Sequence, residues 1–389
     1  MSEPAATGSQ PLGFARPPRR ILVIVTRRIG DVLLATPVVR SLKRAWPHSR
    51  IDMLVFAGTE GFVTASPDVE QVLTVPERPR FLQHLKLVAR FARRYDLALS
   101  LVPGDRPTLY AWIAGKRRAG LLVPTKKERW KRRLLHAWVP FDNEGTHTVR
   151  MHLALLHSIG VAPVAEVAPA WTANEATRAD ALLATLEGAR YAVLHPYPRF
   201  RYKMWTREGW IEVARWLQQQ GLRVVFTGGP GAAERAYVAA IGSEVPGALD
   251  LAGALTLGGV AYVVSRAAVY VGPDTAITHA AAGLGVPTVA LLGPSNPVKW
   301  GPWPAGHDPA RNPWRRVGSQ TAGTVRLIQG AGACVPCGNE GCDRHVGSAS
   351  DCLTNMPPAQ VIAALQDLTQ HREHAPADAF SPDSRQPSP

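Results

Sequence analysis

The sequence has 389 residues, of which 46% are hydrophobic and 19% charged, and its formal net charge is +14 at pH 7. One hydrophobic core rarely grows to this size, so the length predicts two domains, and no apolar run approaches the roughly 18 residues of a membrane-spanning helix. The excess of cations favours an anionic partner, whether nucleic acid, an acidic membrane face or phosphorylated small molecules.

The first half of the chain alternates short apolar runs with segments of helical periodicity. Residues 1–19 are rich in Pro, Gly, Ala and Ser and are expected to be a disordered extension. Strands are predicted at ILVIV, RIDMLVF, QVLTVP and the end of FLQHLKLVARFARRYDLALSLV, whose first part is predicted as a helix. This alternation is typical of an α/β domain with a mostly parallel sheet, which we assign to residues 20–163.

The same pattern restarts after residues 164–172, which lack periodicity and are predicted as a linker. The second set of strands is YAVLHP, RVVFTGGPG, AVYVGPD and TVALLGPSNP. Residues 173–372 are therefore predicted to form a second Rossmann-like domain, and the polar residues 373–389 a disordered tail. Two such domains are expected to face each other across a cleft, with ligands at the carboxyl ends of the strands.

The stretch VYVGPDTAITHAAAGLG is the first candidate site. Asp274 and Thr275 follow a predicted strand and open a helix, whose N–H groups and positive dipole end would hold a phosphate. His279 lies four residues after Thr275 and therefore on the same helical face. The alternative is that Asp274 only caps the helix and His279 is a packed core residue.

Two more loops at predicted strand ends are candidates. Arg199, Arg201 and Lys203 follow YAVLHP and would neutralise a diphosphate leaving group. From the residues alone, an ordinary solvated basic loop is the favoured alternative. Gly228 and Gly229 would let a ligand approach the backbone, but a single glycine-rich turn is a weak signal.

The first strand leads into a turn that holds a single glycine, Gly30, followed by a carboxylate, Asp31. A dinucleotide-binding turn would carry several glycines at this point, and a carboxylate would repel a phosphate. Asp31 therefore needs another role. One alternative is that it is merely an acid favoured by the helix dipole.

Four stretches taken together resemble glycosyltransferase family 9, the bacterial ADP-heptose to lipopolysaccharide heptosyltransferases and their relatives. These stretches are RRIGDVLLATPVVRSLKRAWP, the KMW loop, FTGGPGAAE and GPDTAITHAAAGLGVPTVALLGPSNP, and the resemblance runs from about Arg20 to Leu368. It implies a GT-B fold whose C-terminal domain holds the sugar nucleotide and whose N-terminal domain holds the acceptor. It also implies inversion at the anomeric centre and no metal or other cofactor for catalysis.

The resemblance implies roles for individual residues. Asp31 would be the general base that deprotonates the acceptor hydroxyl. The donor-binding positions that it implies are Lys203, Asp274, Thr275 and His279 for the diphosphate and Glu234 for the ribose. Arg199 stands near where several relatives carry small hydroxyl residues, and arginine is able to replace them as a bidentate phosphate ligand.

The sequence thus predicts an inverting, metal-independent glycosyltransferase that moves heptose or a related sugar from an ADP-sugar to a lipopolysaccharide core acceptor. Two alternatives stay open. One is a sugar-nucleotide epimerase of the same fold, and the other is a non-catalytic protein that binds a nucleotide sugar or a lipid-linked carbohydrate.

All cysteines lie in one segment, with the spacing C-x2-C-x4-C-x9-C at Cys334, Cys337, Cys342 and Cys352. This density suits a structural zinc ion or an iron–sulfur cluster. Reduced thiols or a disulfide are equally compatible with it. A catalytic role is not expected, because the segment follows the donor motif.

The segment from Lys126 to Trp138 concentrates six cations and two tryptophans. One interpretation is docking on the anionic inner face of the inner membrane or on a phosphorylated lipid acceptor. The other is a solvated basic helix. Nucleic-acid binding is not expected, since no recognised module accompanies the segment. We therefore expect a cytoplasmic protein in peripheral contact with the membrane.

Overall fold

The computed structural model of the chain describes residues 12–78 and 88–373, with side chains up to residue 368. The chain divides into two compact units between Ala168 and Pro169, inside the stretch predicted as a linker. The predicted N-terminal extension before residue 12, the first part of the helix predicted around 81–94 and the tail beyond residue 373 lie outside the described residues.

The N-terminal unit is built on a parallel sheet with the strand order β3-β2-β1-β4-β5-β6. Its strands are β1 (Arg20–Val25), β2 (Arg50–Phe56), β3 (Gln71–Val75), β4 (Tyr95–Ser100), β5 (Gly115–Leu122) and β6 (Ala137–Pro140). Its helices include α1 (Ile29–Leu33), α2 (Thr36–Ala45), α3 (Asp105–Ala114), α4 (Arg129–Arg132) and α5 (Thr148–His157).

The central strand β1 is buried over its whole length except at Arg20, as expected for a parallel strand covered on both faces. The helical stretch that follows consists of two helices, because α1 ends at Leu33 and α2 begins at Thr36. Pro37 lies in the first turn of α2, where its missing N–H costs nothing and its fixed φ favours a new helix.

Residues 12–19, predicted as part of a disordered extension, pack instead onto the N-terminal unit. Leu12 is buried and its N–H donates to the carbonyl oxygen of Ser158 at 2.7 Å. The rings of Phe14 and Trp46 meet edge to face with their centroids 5.5 Å apart. The prediction was wrong here because two apolar side chains anchor a stretch whose composition is otherwise typical of a disordered segment.

The C-terminal unit has the strand order β12-β13-β11-β10-β7-β8-β9, in which only the β12–β13 pair is antiparallel among the described strands. Its strands are β7 (Tyr191–Leu194), β8 (Arg223–Phe226), β9 (Leu249–Asp250), β10 (Val269–Pro273), β11 (Thr288–Leu292), β12 (Gln320–Ala322) and β13 (Val325–Gln329). Its helices include α6 (Ala173–Leu183), α7 (Arg207–Gln219), α8 (Ala232–Gly242), α9 (Leu257–Ser265), α10 (Ala276–Gly283), α11 (Pro297–Trp300), α12 (Asp351–Thr354) and α13 (Pro358–Glu373).

One short segment departs from the predicted domain limits. Residues Asp308–Arg311 belong to the N-terminal unit, although they lie within the range predicted for the C-terminal domain. Arg150 on α5 holds them, donating from Nε to the carbonyl of Pro309 and from Nη2 to that of Ala310, each at 3.0 Å. Hydrogen bonds to backbone carbonyls leave no signature in the sequence of the segment that accepts them.

Candidate active site

The candidate donor site lies where the strand order of the C-terminal sheet reverses, between β7 and β10. In doubly wound sheets, ligands bind at the carboxyl ends of the strands at such a reversal. The loop after β7 runs from His195 to Lys203, and β10 leads directly into Asp274 and Thr275. The parallel register therefore brings together two segments that are distant in sequence.

A buried carboxylate is the centre of this site. Lys203 Nζ donates to Asp274 Oδ2 at 2.5 Å and lies 3.4 Å from the Asp274 carbonyl oxygen. Ser295 Oγ, beyond the end of β11, donates to the same Oδ2 at 2.6 Å. His279 Nε2 lies 3.9 Å from Asp274 Oδ1. The structure thus brings Lys203, Asp274 and His279 into one cluster.

The electrostatics of the cluster favour a charged pair beside a neutral histidine. Burial alone would raise the pKa of Asp274, but Lys203 and His279, with hydrogen bonds from Lys203 and Ser295, hold this pKa below its usual value. Burial lowers the pKa of His279 to about 4, opposed by Asp274 and reinforced by Lys203. Because His279 is then neutral at pH 7, Lys203 is the cation that keeps Asp274 ionised.

His279 also holds an unsatisfied polar atom. Its Nδ1 is buried and has no hydrogen-bond partner in the part of the chain that the structure describes. Leaving a buried polar group unpaired costs about 1–3 kcal/mol.

Thr275 caps helix α10, and its Oγ1 accepts the N–H of Thr278 at 3.5 Å. The first N–H groups of the helix lie next to Asp274 at the positive end of the helix dipole. Since Lys203 balances the charge of Asp274, the helix end keeps its attraction for an anion.

Arg199 and Arg201 lie on the same loop as Lys203, but their side chains are exposed. The guanidinium carbon of Arg199 lies 5.7 Å from the centre of the Phe200 ring. The structure therefore leaves both arginines outside the buried cluster of Lys203, Asp274 and His279.

The glycine-rich turn after β8 is organised by Glu234. Its Oε1 accepts the N–H of Gly229 at 2.6 Å. A Cβ on Gly229 would lie 2.8 Å from Glu234 Oε2, and one on Gly228 would lie 3.2 Å from the Cβ of Ala252. Burial raises the pKa of Glu234, and the Gly229 hydrogen bond opposes this. Because Gly228 and Gly229 have no side chains, they leave room for the Glu234 carboxylate, which folds back and is hydrogen-bonded to the turn.

In the N-terminal sheet the strand order reverses between β1 and β4, and Asp31 follows β1 in helix α1. Its Oδ2 accepts the N–H of Arg28 at 3.3 Å. Burial raises the pKa of Asp31, whereas the charges of Arg27 and Arg28 act in the opposite direction. A carboxylate of raised pKa is a stronger proton acceptor than an ordinary surface aspartate once it is ionised.

Sequence reasoning missed two groups at this site. Ser295 completes the hydrogen bonding of Asp274, and its position after a strand end was the available signal. His195, at the end of β7, is buried with Nδ1 3.0 Å from Thr227 Oγ1. Burial lowers the pKa of His195 to about 4, with a Thr227 backbone hydrogen bond opposing the shift. The contact between His195 and Thr227 can be recognised only once the pairing of β7 with β8 is known.

The four cysteines are free thiols. Burial and the charges of the other three cysteines raise the pKa of Cys352 to about 11. Within residues 12–78 and 88–373, no group of three or more His, Cys, Asp or Glu side chains is arranged to hold a metal ion. The side chains as they stand do not fit a zinc ion or an iron–sulfur cluster, so the structural metal stays a prediction from spacing.

The cysteine segment packs against the candidate donor site. Ser350 Oγ donates to the carbonyl of Tyr202, next to Lys203, at 2.7 Å. The N–H of Gly338 donates to the carbonyl of Pro294 at 2.8 Å, next to Ser295. The segment thereby supports both loops that contact Asp274.

The basic segment provides fewer free charges than its composition suggests. Lys131 is buried, with Nζ 2.6 Å from Asp105 Oδ1 and also bonded to Glu128. The guanidinium of Arg132 lies 4.3 Å from the centre of the Trp138 ring. Lys126, Lys127, Arg129 and Arg133 are the exposed cations of this segment.

Comparison with known proteins identifies the family of the chain. The sequence model of glycosyltransferase family 9 (heptosyltransferase) matches residues 91–313. Lipopolysaccharide heptosyltransferase 3 of Escherichia coli K12 is 27% identical over 294 residues, which cover 70% of this chain and 82% of the relative.

Two solved structures share the fold. A glycosyl transferase of family 9 from Veillonella parvula superposes with a TM-score of 0.72 at 20% identity, covering 91% of this chain and 97% of the other. An ADP-heptose lps heptosyltransferase II from E. coli gives a TM-score of 0.69 at 20% identity, with coverage of 91% and 99%.

The protein is therefore a glycosyltransferase with the GT-B fold, as the sequence predicted. It belongs to glycosyltransferase family 9 (heptosyltransferase). None of the helices in the described ranges is both long and apolar enough to cross a membrane.

Proposed function

We propose that this glycosyltransferase moves heptose, or a closely related sugar, from an ADP-sugar to a lipopolysaccharide core acceptor by single displacement with inversion. The observation that carries the donor half of the proposal is the buried Lys203–Asp274–Ser295–His279 cluster at the carboxyl ends of β7, β10 and β11. The names of the relatives support heptose, ADP and lipopolysaccharide as the chemistry to test first.

The cluster is suited to a leaving diphosphate. As the bond from the anomeric carbon to the diphosphate oxygen breaks, negative charge develops on that oxygen. Lys203 and the N-terminal end of α10 stabilise this charge, and Asp274 fixes the position of the lysine ammonium group. Preorganised donors of this kind are worth about 2.7–4 kcal/mol each in comparable sites. A lysine and a helix end supply this stabilisation without a metal ion, and the proposed transfer uses no cofactor.

Asp31 is the proposed general base. Its carboxylate takes the proton of the acceptor hydroxyl while the oxygen of that hydroxyl bonds to the anomeric carbon and ADP leaves with the electron pair. Burial favours this role because it raises the pKa of the carboxyl group towards the working pH. Glu234 is the proposed ribose ligand, through the carboxylate oxygen that does not accept from Gly229.

The test compares wild type with Asp31→Asn, which keeps the shape of the side chain and removes its basicity. We expect ADP release from ADP-heptose in the presence of truncated lipopolysaccharide to fall about 10²–10⁴-fold in the variant. ADP-heptose binding, followed by calorimetry, should be unchanged. Glu70→Gln removes an exposed carboxylate from the same unit and serves as the matched control.

Near wild-type turnover in Asp31→Asn would exclude this carboxylate as the base. Binding of ADP-heptose without release of ADP by the wild type, with any core acceptor, would contradict the proposed acceptor class while leaving the donor assignment intact. Release of ADP without any acceptor would indicate hydrolysis in place of transfer.

A further inference from the structure

We propose that the N-terminal unit carries a binding site for a small molecule with two or more phosphate groups, at the amino ends of strands β1, β4 and β5. We call it the Arg16–Arg117 pocket. Its charged members are Arg16, Arg19, Asp96, Lys116 and Arg117. The proposal does not depend on the proposed sugar donor, acceptor or base.

The register of the sheet brings the members of the pocket together. Leu97 on β4 lies beside Ile21 of β1 and beside Arg117 of β5. One residue earlier, Asp96 therefore lies between the start of β1 and Lys116 at the start of β5. Because the three strands are parallel, these are their amino ends, at the opposite edge of the sheet from the turn that follows β1. The pocket is thus separate from the carboxyl edge, where ligands of doubly wound sheets bind.

The stretch before β1 forms one wall of the pocket, with Pro17 and Pro18 among the lining residues. Ser49 Oγ donates to the carbonyl oxygen of Pro18 at 2.6 Å. Proline fixes φ, so two consecutive prolines held in this way make a stiff wall. Arg16 and Arg19 flank the prolines and are therefore attached to a backbone that is already in place, which lowers the cost of binding a ligand.

The carboxylate of the pocket, Asp96, is already paired. Its Oδ2 accepts the N–H of Arg19 at 3.0 Å and that of Arg20 at 3.2 Å, and its Oδ1 accepts from Lys116 Nζ at 3.0 Å. Burial acts to raise the pKa of Asp96, but Lys116 and the two N–H groups hold this pKa below its usual value. Asp96 is therefore ionised, and it fixes Lys116 at the edge of the cavity.

The other cations of the pocket leave an excess of positive charge. Arg16, Arg19 and Arg117 are exposed, and none of them forms an ion pair with a carboxylate among the described residues. Together with Lys116 they place four cations beside one carboxylate, so three positive charges remain in excess. Like charges held close together repel, and an anion bound between them removes that repulsion.

The size and chemistry of the pocket select the class of ligand. Its volume is about 350 Å³, near the lower end of the range of about 300–1,000 Å³ for small-molecule sites. Guanidinium groups bind phosphate through two parallel hydrogen bonds. Arg16 and Arg19 lie on the stretch before β1, whereas Arg117 lies on β5, so a ligand with more than one phosphate group is suited to bridge the two segments.

The experiment measures binding of inorganic pyrophosphate and triphosphate to the full-length protein by calorimetry. We expect binding that weakens as salt is raised and that is stronger than the binding of sulfate, a single dianion. Arg19→Gln and Arg117→Gln should each weaken pyrophosphate binding about 10-fold, because each removes charge-assisted hydrogen bonds to phosphate. Both residues are exposed, so the thermal unfolding midpoint without ligand should be unchanged.

Two control variants locate the bound anion. Lys126→Gln combined with Lys127→Gln removes two exposed cations from the same unit and should bind pyrophosphate as the wild type does. Lys203→Ala combined with Asp274→Asn removes the cation of the proposed donor site. Pyrophosphate bound at the donor site would be lost in this variant and retained in Arg19→Gln, whereas pyrophosphate bound in the pocket gives the reverse pattern.

Several outcomes would overturn the proposal. Failure of the wild type to bind either phosphate compound would do so directly, as would wild-type affinity in both arginine variants. An equal loss in the paired lysine variant would mean that net charge alone drives the binding, and equal affinity for pyrophosphate and sulfate would indicate an unselective anion site. Binding of a short single-stranded oligonucleotide that is lost in the arginine variants, without pyrophosphate binding, would identify a nucleic acid as the partner instead.

Discussion

At the residue scale, Lys203 links the stability of the C-terminal unit to the proposed donor binding. Lys203→Ala leaves Asp274 buried without its cation, and loss of one partner of a buried pair costs about 3–5 kcal/mol. Because the Lys203 side chain is 20% exposed, we expect a fall in the free energy of unfolding of about 3 kcal/mol, together with weaker ADP binding. Denaturant unfolding and calorimetry with ADP measure the two effects.

A second variant separates these effects. Adding Asp274→Asn to Lys203→Ala removes the unpaired charge, so part of the stability should return while ADP binding stays weak. The pKa of Asp274 is lowered in the folded protein, so the ion pair contributes stability above the ordinary aspartate pKa and loses it as pH falls through the lower, folded value. An unchanged unfolding free energy in Lys203→Ala would contradict the buried-pair interpretation.

At the scale of an element, the turn after β8 depends on the space at its glycines. Gly229→Ala places a methyl group 2.8 Å from Glu234 Oε2, so the carboxylate has to move and its hydrogen bond to the Gly229 N–H weakens. We expect KM for the ADP-sugar to rise several-fold, because the proposed ribose ligand is displaced, with little change in kcat. Steady-state kinetics at saturating acceptor tests this.

Gly231→Ala is the matched control for that turn. Gly231 has no positive φ to strain, and the nearest atom to an added Cβ is 3.9 Å away. It should bind donor normally. If Gly229→Ala and Gly231→Ala have the same KM, Glu234 has no part in donor binding.

At the scale of the whole molecule, two buried histidines in the C-terminal unit make stability depend on pH. Burial lowers the pKa of His195 and of His279 to about 4. Between that value and the ordinary histidine pKa of about 6.5, the unfolded chain binds more protons, so stability rises with pH. We expect the free energy of unfolding to fall from pH 7 to pH 4.5, by up to about 3 kcal/mol for each histidine.

Denaturant unfolding of the full chain at pH 7.0, 6.0, 5.0 and 4.5 measures this slope. His195→Gln and His279→Gln should each reduce it, whereas His157→Gln, which alters an exposed residue at the end of α5, should not. A slope that neither buried-site variant alters would assign the pH dependence to other groups.

Parts of the fold were predictable because their signals are local. Continuous apolar runs such as ILVIV predict buried parallel strands, and the alternation of strands with helices predicts the doubly wound class. Pro37 in the first turn of α2 is likewise a local signal, because it favours the start of a helix. The packing of residues 12–19 was missed because composition says nothing about which distant surface an isolated leucine or phenylalanine meets.

The residues of the candidate site also fall into two groups, those with a local signal in the sequence and those without one. Asp274, Thr275 and Lys203 could be named as candidates because strand ends and helix starts are visible in sequence and because the segments resemble a known family. Ser295 was not, because its role comes from the adjacency of β10 and β11. The sequence also does not reveal that Lys131 of the basic segment is buried between two carboxylates.

The sequence by itself determined the fold class and the family, and it indicated candidate site residues at the ends of predicted strands. These depend on hydrophobic period, turn residues and short motifs, which act over a few residues. Only the tertiary structure decided that Lys203 pairs with Asp274, that Glu234 folds onto Gly229, and which cations of the basic segment are exposed. Burial and ionic pairing arise from residues distant in the chain, and strand order, which sequence patterns do not encode locally, determines which of them meet.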